Sequence, residues 1–287
     1  MRVLVLGGSS QLGVDTLPAL LAAGAEVDAL SRREGPSLPG LRWLPGALPQ
    51  GSPALRARYD AILSLGPLDL CGEWLAHAPA AGRIVAFGST SLEAKACSPD
   101  PGERDLARRL AEAEARLHAT AAQRGMAALV LRSTLIYGAG LDRSLSPLAR
   151  LAARWRVLPF PRLIGEGGQR QPVHTADLAG AAVSALRGLG DRALPPALVL
   201  SGPPLSWRRI FAAVAASVGA HLLRLPLPLA RLGATLAGAT SARAMLGRFD
   251  HDQVFDGSLA RALLDFRPRD FNPTAATWQP RTPEFPC

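Results

Sequence analysis

The chain has 287 residues, 48% of them hydrophobic, and its 32 Lys and Arg outnumber 23 Asp and Glu for a formal charge of +9. That length can bury a large core without staples, and the charge, nearly all scattered arginine without a basic run or an aromatic platform, argues against nucleic-acid binding. Three cysteines without metal-ligand spacing support neither a disulfide framework nor a zinc site. With no basic leader and no uncharged apolar stretch of about eighteen residues to span a bilayer, a cytoplasmic protein is expected.

The chain opens on MRVLVLGGSSQLG. Val3, Leu4, Val5 and Leu6 make a short apolar run that ends in glycines, which predicts a strand buried on both faces. Gly7 turns the chain out of that strand, Gly8, Ser9 and Ser10 keep side chains small, and Gly13 admits close helix packing. The turn leaves backbone N–H groups free at the positive end of the next helix, VDTLPALLAAG, an anion site suited to the pyrophosphate of a dinucleotide. Pro18 falls inside that helix pattern and should kink it unless it lies in the first turn. Gly24 ends the helix, and AEVDALSRR rises as a second strand. An acidic residue at its end would accept from a ribose 2′-OH. Ser31, Arg32 and Arg33 stand there instead and suit a 2′-phosphate, so NADP is expected over NAD. The competing reading of the two arginines is a solvated basic loop.

Residues 34 to 58 are rich in Gly, Pro and Arg, with LRWLPG as a short third strand. YDAILSLGPL gives a fourth, ending in Leu65, Gly66 and Pro67, small enough for the adenosine half of a cofactor to lie against the backbone. A helix around Trp74 precedes GRIVAFGSTS, another buried strand, where Gly88 joins the cofactor-binding set ahead of Ser89, Thr90 and Ser91. Hydroxyls at the carboxyl end of a central parallel strand lie where such sheets bind ligands. Equally, they would cap the next helix. ERDLARRLAEAEARLHATAAQRG is strongly helical and closes at Gly125; MAALVLRSTLIYGAG follows as a strand and exit loop. RQPVHTADLAGAAVSAL gives a short strand and a helix capped by Thr175 or Asp177, and ALVLSGPPLSWRRIFAAVAASVG a strand and a helix starting near Ser206. Leu222 to Gly247, interrupted by Arg224, Arg231, Arg243 and two prolines, reads as a buried or dimer-forming helix. Alternating strands and helices without an internal repeat predict an α/β fold built on a doubly wound parallel sheet.

GGSSQLG, DAILSLGPL, RIVAFGSTS, LRSTLIYGAG, PVHTADLAGA, LVLSGPPLSW and FDGSLARALLDFRPRDF occur in an order and spacing that resemble the extended short-chain dehydrogenase/reductases, the nucleoside-diphosphate-sugar epimerase and dehydratase group. The resemblance covers nearly the whole chain. It implies a Rossmann domain from residues 1–140 and 167–200 and a smaller substrate-binding domain from 141–166 and 201–287. It assigns Gly7, Ser9, Ser10, Gln11, Leu12 and Gly13 to the pyrophosphate turn, Ser31 and Arg32, beside Arg33, to the adenosine ribose, and Leu65, Gly66 and Pro67 to the stretch along the cofactor. Thr90 matches the catalytic serine or threonine that hydrogen-bonds the reacting oxygen. Arg132, Tyr137 and Gly138 match the loop near the nicotinamide and the substrate, whereas His174 and Asp177 match a motif read as structural. The implied partners are a small molecule, a sugar nucleotide or another carbonyl compound, and a second copy paired through LARRLAEAEARLHATAA.

Two departures stand out. Ser10 replaces the middle glycine of the family's triplet. The family's tyrosine, with a lysine four residues later that lowers its pKa for proton exchange, falls here on Leu106 and Leu110, and the helix from Glu103 to Gly125 holds no Tyr or Lys at all. Tyr137 and Tyr59 are the only tyrosines and Lys95 the only lysine. Tyr137 with Lys95 would have to converge to replace the missing pair; otherwise Tyr137 packs a pocket wall and Lys95 is solvated. Two readings follow, an atypical oxidoreductase or epimerase-like enzyme, and an inactive NADP-binding sensor or scaffold.

Overall fold

The computed structural model describes residues 1–33, 35–36, 38–161, 165–189, 194–226 and 251–282. β1 (Arg2–Leu6) lies at the middle of a parallel sheet. Alternate residues of a strand point to opposite faces, so Val3 and Val5 enter one core and Leu4 and Leu6 the other, all fully buried. β2 (Glu26–Ser31) and β3 (Leu41–Pro45) extend the sheet on one side. On the other side come β4 (Arg58–Ser64), β5 (Ala80–Ser89), β6 (Ala127–Ser133) and β11 (Ala197–Leu200), giving seven strands in the order β11-β6-β5-β4-β1-β2-β3. The direction of progression reverses between β1 and β4. Ligands of such sheets bind at that break, beyond the carboxyl ends of the strands.

One face of the sheet is covered by α1 (Gly13–Ala22), α6 (Thr175–Gly188) and α8 (Ser258–Leu264), the other by α2 (Leu68–Trp74) and α4 (Pro101–Gln123). α1 runs through Pro18. α4 starts two residues earlier than its charge pattern indicates, because Asp100 caps it by accepting from the Gly102 amide at 2.8 Å and Pro101 suits the first turn. The cap expected from Thr175 or Asp177 on α6 comes from His174, whose Nδ1 accepts from the Ala176 amide. Thr175 is already helical, and its hydroxyl bonds Asp15.

A third core gathers α5 (Leu145–Trp155), β8 (Val157–Pro161) and α7 (Trp207–Ser217) around Phe160, Phe211, Phe271 and Trp278. Ser206 caps α7 as its position indicates. β7 (Leu135–Tyr137) pairs with β10 (Pro172–His174), and β9 (Gln169–Arg170) with β12 (Leu205–Ser206). Leu222 to Gly247 does not begin as a helix. Residues 221–225 form β13 (His221–Leu225), parallel to β8, because Pro226 disfavours helix in the residue before it and the edge of β8 offers a ladder; residues 227–250 lie outside the described residues. α8 packs into the core shared by α1 and α6, although it lies in the stretch 201–287. Cys71 and Cys97 are free thiols. Among the described residues no helix is long and apolar enough to cross a membrane, and no acidic, His or Cys cluster is fit to hold a metal.

Asp28 of β2 is a carboxylate buried to 4% exposure. It accepts from Arg42 Nε at 3.0 Å, Arg56 Nε at 3.0 Å and the Tyr59 hydroxyl at 2.7 Å. Burial pushes its pKa up, but these hydrogen bonds outweigh burial and hold it below the usual carboxylate value. A carboxyl lowered on folding stabilises above its unfolded pKa and loses that contribution as pH falls through the folded one. Asp28→Ala should cost about 2–4 kcal/mol at pH 7, read by urea unfolding. In Asp28→Asn the loss of stability below pH 4 should be visibly shallower than in the parent.

Candidate functional site

The glycine turn after β1 is set by one close approach. A Cβ on Gly13 would fall 2.0 Å from the Gly8 carbonyl oxygen, and Gly7 sits at φ +82°, so neither position admits another side chain without moving the backbone. The amides of Gly7 and Gly8 are not free. Both donate to the Leu30 carbonyl, at 3.0 and 3.2 Å, which joins the turn to the end of β2. Gly13 donates to Ser10 Oγ at 3.3 Å, so the serine in place of glycine supplies an internal acceptor. The amides of Gln11 and Leu12, at the open end of α1, have no acceptor among the described residues. These, with the helix dipole, are what the turn offers an anion.

Ser31 Oγ donates to Ser9 Oγ at 2.7 Å and accepts from the Arg33 amide at 3.0 Å, so the end of β2 is held against the turn. Arg32 and Arg33 are exposed beside it. Across the switch point, Leu65 donates its amide to the Leu6 carbonyl at 2.9 Å, which brings Leu65, Gly66 and Pro67 alongside Gly7. A turn whose Gly7, Gly8 and Gly13 keep the backbone close, with open amides and cations where a ribose phosphate would end, fits a dinucleotide.

A cleft of about 560 Å³ opens beyond β5 and β6, between the sheet and the third core. Gln11 reaches it from the turn, and its Nε2 donates to the Gly138 carbonyl at 3.0 Å. Ser89, Thr90 and Ser91 line it at the end of β5. Ser89 takes the local capping role by accepting from the Ser91 amide. Thr90 is left with a 3.3 Å bond to the Ser133 carbonyl, long for a hydroxyl and easily exchanged for a ligand. The opposite wall carries Arg143, Arg170, Gln171 and Trp207. Asp142 also faces the cleft, but it is spent capping α5, accepting from the amides of Ser144, Leu145 and Ser146.

Tyr137 does not line this cleft. It is 2% exposed in the third core, edge-on to His174 and Phe271, and burial pushes its pKa up to about 12. Its neighbours hold the phenol in the third core, and it does not share the cleft with Lys95. Arg132 lies within β6, its guanidinium bonded to Glu114 of α4 and to Glu93. A Cβ on Gly88 would meet Val130 and Glu114, so its smallness makes room for that pair. His174 is locally satisfied, with a pKa lowered by burial, and Asp177 binds the Arg269 side chain. Leu106 and Leu110 stand at four-residue steps before Glu114, half-buried. The residue that sequence reasoning undervalued is Lys95. At the end of α3 (Ser91–Ala94) it lines the cleft with its side chain 15% exposed, 3.5 Å from Glu103. Its signal was the run of hydroxyls one turn before it.

No protein-family model matches the chain. The 2'-dehydrokanamycin reductase of Streptomyces kanamyceticus is 29% identical over 301 aligned positions, covering 94% of this chain and 81% of the reductase. Among solved structures, MoeE5 in complex with UDP-glucose and NAD is similar over 94% of each chain, with TM-score 0.69 at 18% identity. UDP-glucuronic acid 4-epimerase from Bacillus cereus in complex with NAD superimposes at TM-score 0.69 over 97% of this chain and 94% of that one, at 13% identity.

Both tyrosines of the chain are buried, and burial raises Tyr137 and Tyr59 alike. Ultraviolet titration should show little phenolate at pH 10, where an unperturbed tyrosine is half ionised. The folded state resists ionisation, so stability should fall as pH rises from about 10 towards 12.

Proposed function

We propose that this chain, whose fold is that of the extended short-chain dehydrogenase/reductases, is an atypical NADP-dependent oxidoreductase or epimerase-like enzyme. Its substrate would be a small hydroxylated molecule with a carbonyl or oxidisable carbinol carbon, a sugar nucleotide or a related carbonyl compound. The observation that carries this reading is the cradle at Gly7–Gly13 standing at the same edge of the same sheet as the cleft around Thr90. The similar MoeE5 structure, in complex with UDP-glucose and NAD, supports it.

In this reading the open amides of Gln11 and Leu12 hold the pyrophosphate, and Ser31, Arg32 and Arg33 hold the 2′-phosphate of the adenosine ribose. Leu65, Gly66 and Pro67 lie along the cofactor. When bound, the nicotinamide supplies or accepts the hydride at the reacting carbon. Thr90 exchanges its long bond to Ser133 for the substrate oxygen and orients it. Tyr137 shapes the third core and takes no proton. Residues 1–140 and 167–200, with α8 packed against them, act as the dinucleotide domain, and 141–166 with the rest of 201–287 as the substrate domain. A homodimer through α4 belongs to the same reading, supported by the exposed alanines 111, 115 and 119, and light scattering tests it.

Leu106 and Leu110 favour a second reading, a dinucleotide-binding sensor or scaffold without turnover, since neither can transfer a proton. NADPH consumption above background with any carbonyl substrate excludes it.

NADPH should bind at least about tenfold more tightly than NADH by fluorescence titration, a difference of about 1.4 kcal/mol. Arg32→Ala should erase most of that preference. Equal affinities overturn the choice of NADP, and binding of neither dinucleotide overturns the reading as a whole.

A further inference from the structure

We infer that Lys95 is the proton donor to the reacting oxygen, with Glu103 as its positioning residue; the inference rests on the dinucleotide reading above. Lysine side chains are almost always solvated, yet the chain's sole lysine is largely withdrawn from solvent and lines the cleft. α3 fixes its place relative to Thr90. The Ala94 amide bonds the Thr90 carbonyl at 3.0 Å and the Lys95 amide bonds the Ser91 carbonyl at 3.1 Å, a single turn from the residue that holds the oxygen. Glu103 is itself held. Its Oε2 accepts from Ser98 Oγ at 2.7 Å in the first turn of α4, and its Oε1 lies 3.5 Å from Lys95 Nζ.

The other groups around the cleft cannot supply the proton. Arginine does not release one, Asp142 is committed to the start of α5, and no histidine or tyrosine lines the cleft among the described residues. Glu103 lies one turn before Leu106, so the ionic pair sits beside the place where the helix of the family carries its tyrosine. An ammonium also brings positive charge to where negative charge develops.

In the reducing direction the carbonyl carbon gains a hydride from the reduced nicotinamide, and the C=O π pair moves to oxygen. One N–H bond of Lys95 breaks as the O–H bond forms. The neutral amine then takes a proton from water, with Glu103 stabilising the restored ammonium.

Because the chain has one lysine, amine acetylation followed by mass spectrometry reads Lys95 alone, with the amino terminus as internal reference. Saturating NADP+ should slow acetylation of Lys95 about fivefold or more while the amino terminus is unaffected. Glu103→Gln should speed it several-fold at pH 8, and Glu103→Asp should restore the parent rate. In NADPH oxidation with 9,10-phenanthrenequinone, Lys95→Ala and Lys95→Arg should each lose about a hundredfold or more with NADPH affinity unchanged. Failure to bind either dinucleotide defeats the underlying reading. Bound dinucleotide that leaves Lys95 acetylation unchanged, an unaltered rate in Glu103→Gln, a Lys95→Ala protein with the parent's rate and pH profile, or a parent that binds NADPH without reducing the quinone each overturns this one.

Discussion

Gly13 lies so close to the Gly8 carbonyl that the first helix can approach the first strand only because Gly13 carries no side chain. Much of the molecule is built outward from that contact. It sets the angle at which α1 leaves the sheet, and α1 then packs along α6 in the same apolar layer. It aims the open amides at the switch point. It also lets Leu30 take the Gly7 and Gly8 amides, so the end of β2 and the turn form one rigid corner. The chemistry at that corner is therefore decided by small residues whose contribution is space.

Charge does the equivalent work on the opposite face. Glu114, 5% exposed, meets Arg132 through two guanidinium nitrogens, and Glu93 takes a third. A buried pair of this kind is costly to break from one side, whereas exposed pairs such as Arg108 with Asp105 contribute little. The buried pair fixes the rotation of α4 about its own axis. Leu106 and Leu110 are thereby held on the Glu114 side of the helix.

The alternation of apolar runs and glycine turns made the sheet legible before any coordinates, because a strand buried on both faces leaves few residue choices. Caps were less legible. His174 rather than Thr175 caps α6, since Thr175 is drawn away by Asp15, a partner distant in sequence. The glycine turn and the strand ends beside it could be read because they are local. The cleft could not, because Gln11, Lys95, Arg170 and Phe255 come together only through folding. Tyr137 shows the limit most clearly: its neighbours in the chain place it at a strand end near the ligand, and only Phe271 and Trp278, far along the sequence, draw it into the core.

The segment from residue 266 to 281 returns across the molecule. Arg269 binds Asp177 on α6, and Arg281 reaches Asp15 on α1, 266 positions away, while its amide bonds the Ala139 carbonyl. Asp15 in the first turn of α1 gains the arginine that balances it only when this segment docks, so the electrostatics of the glycine turn depend on packing contributed from the far side of the sequence.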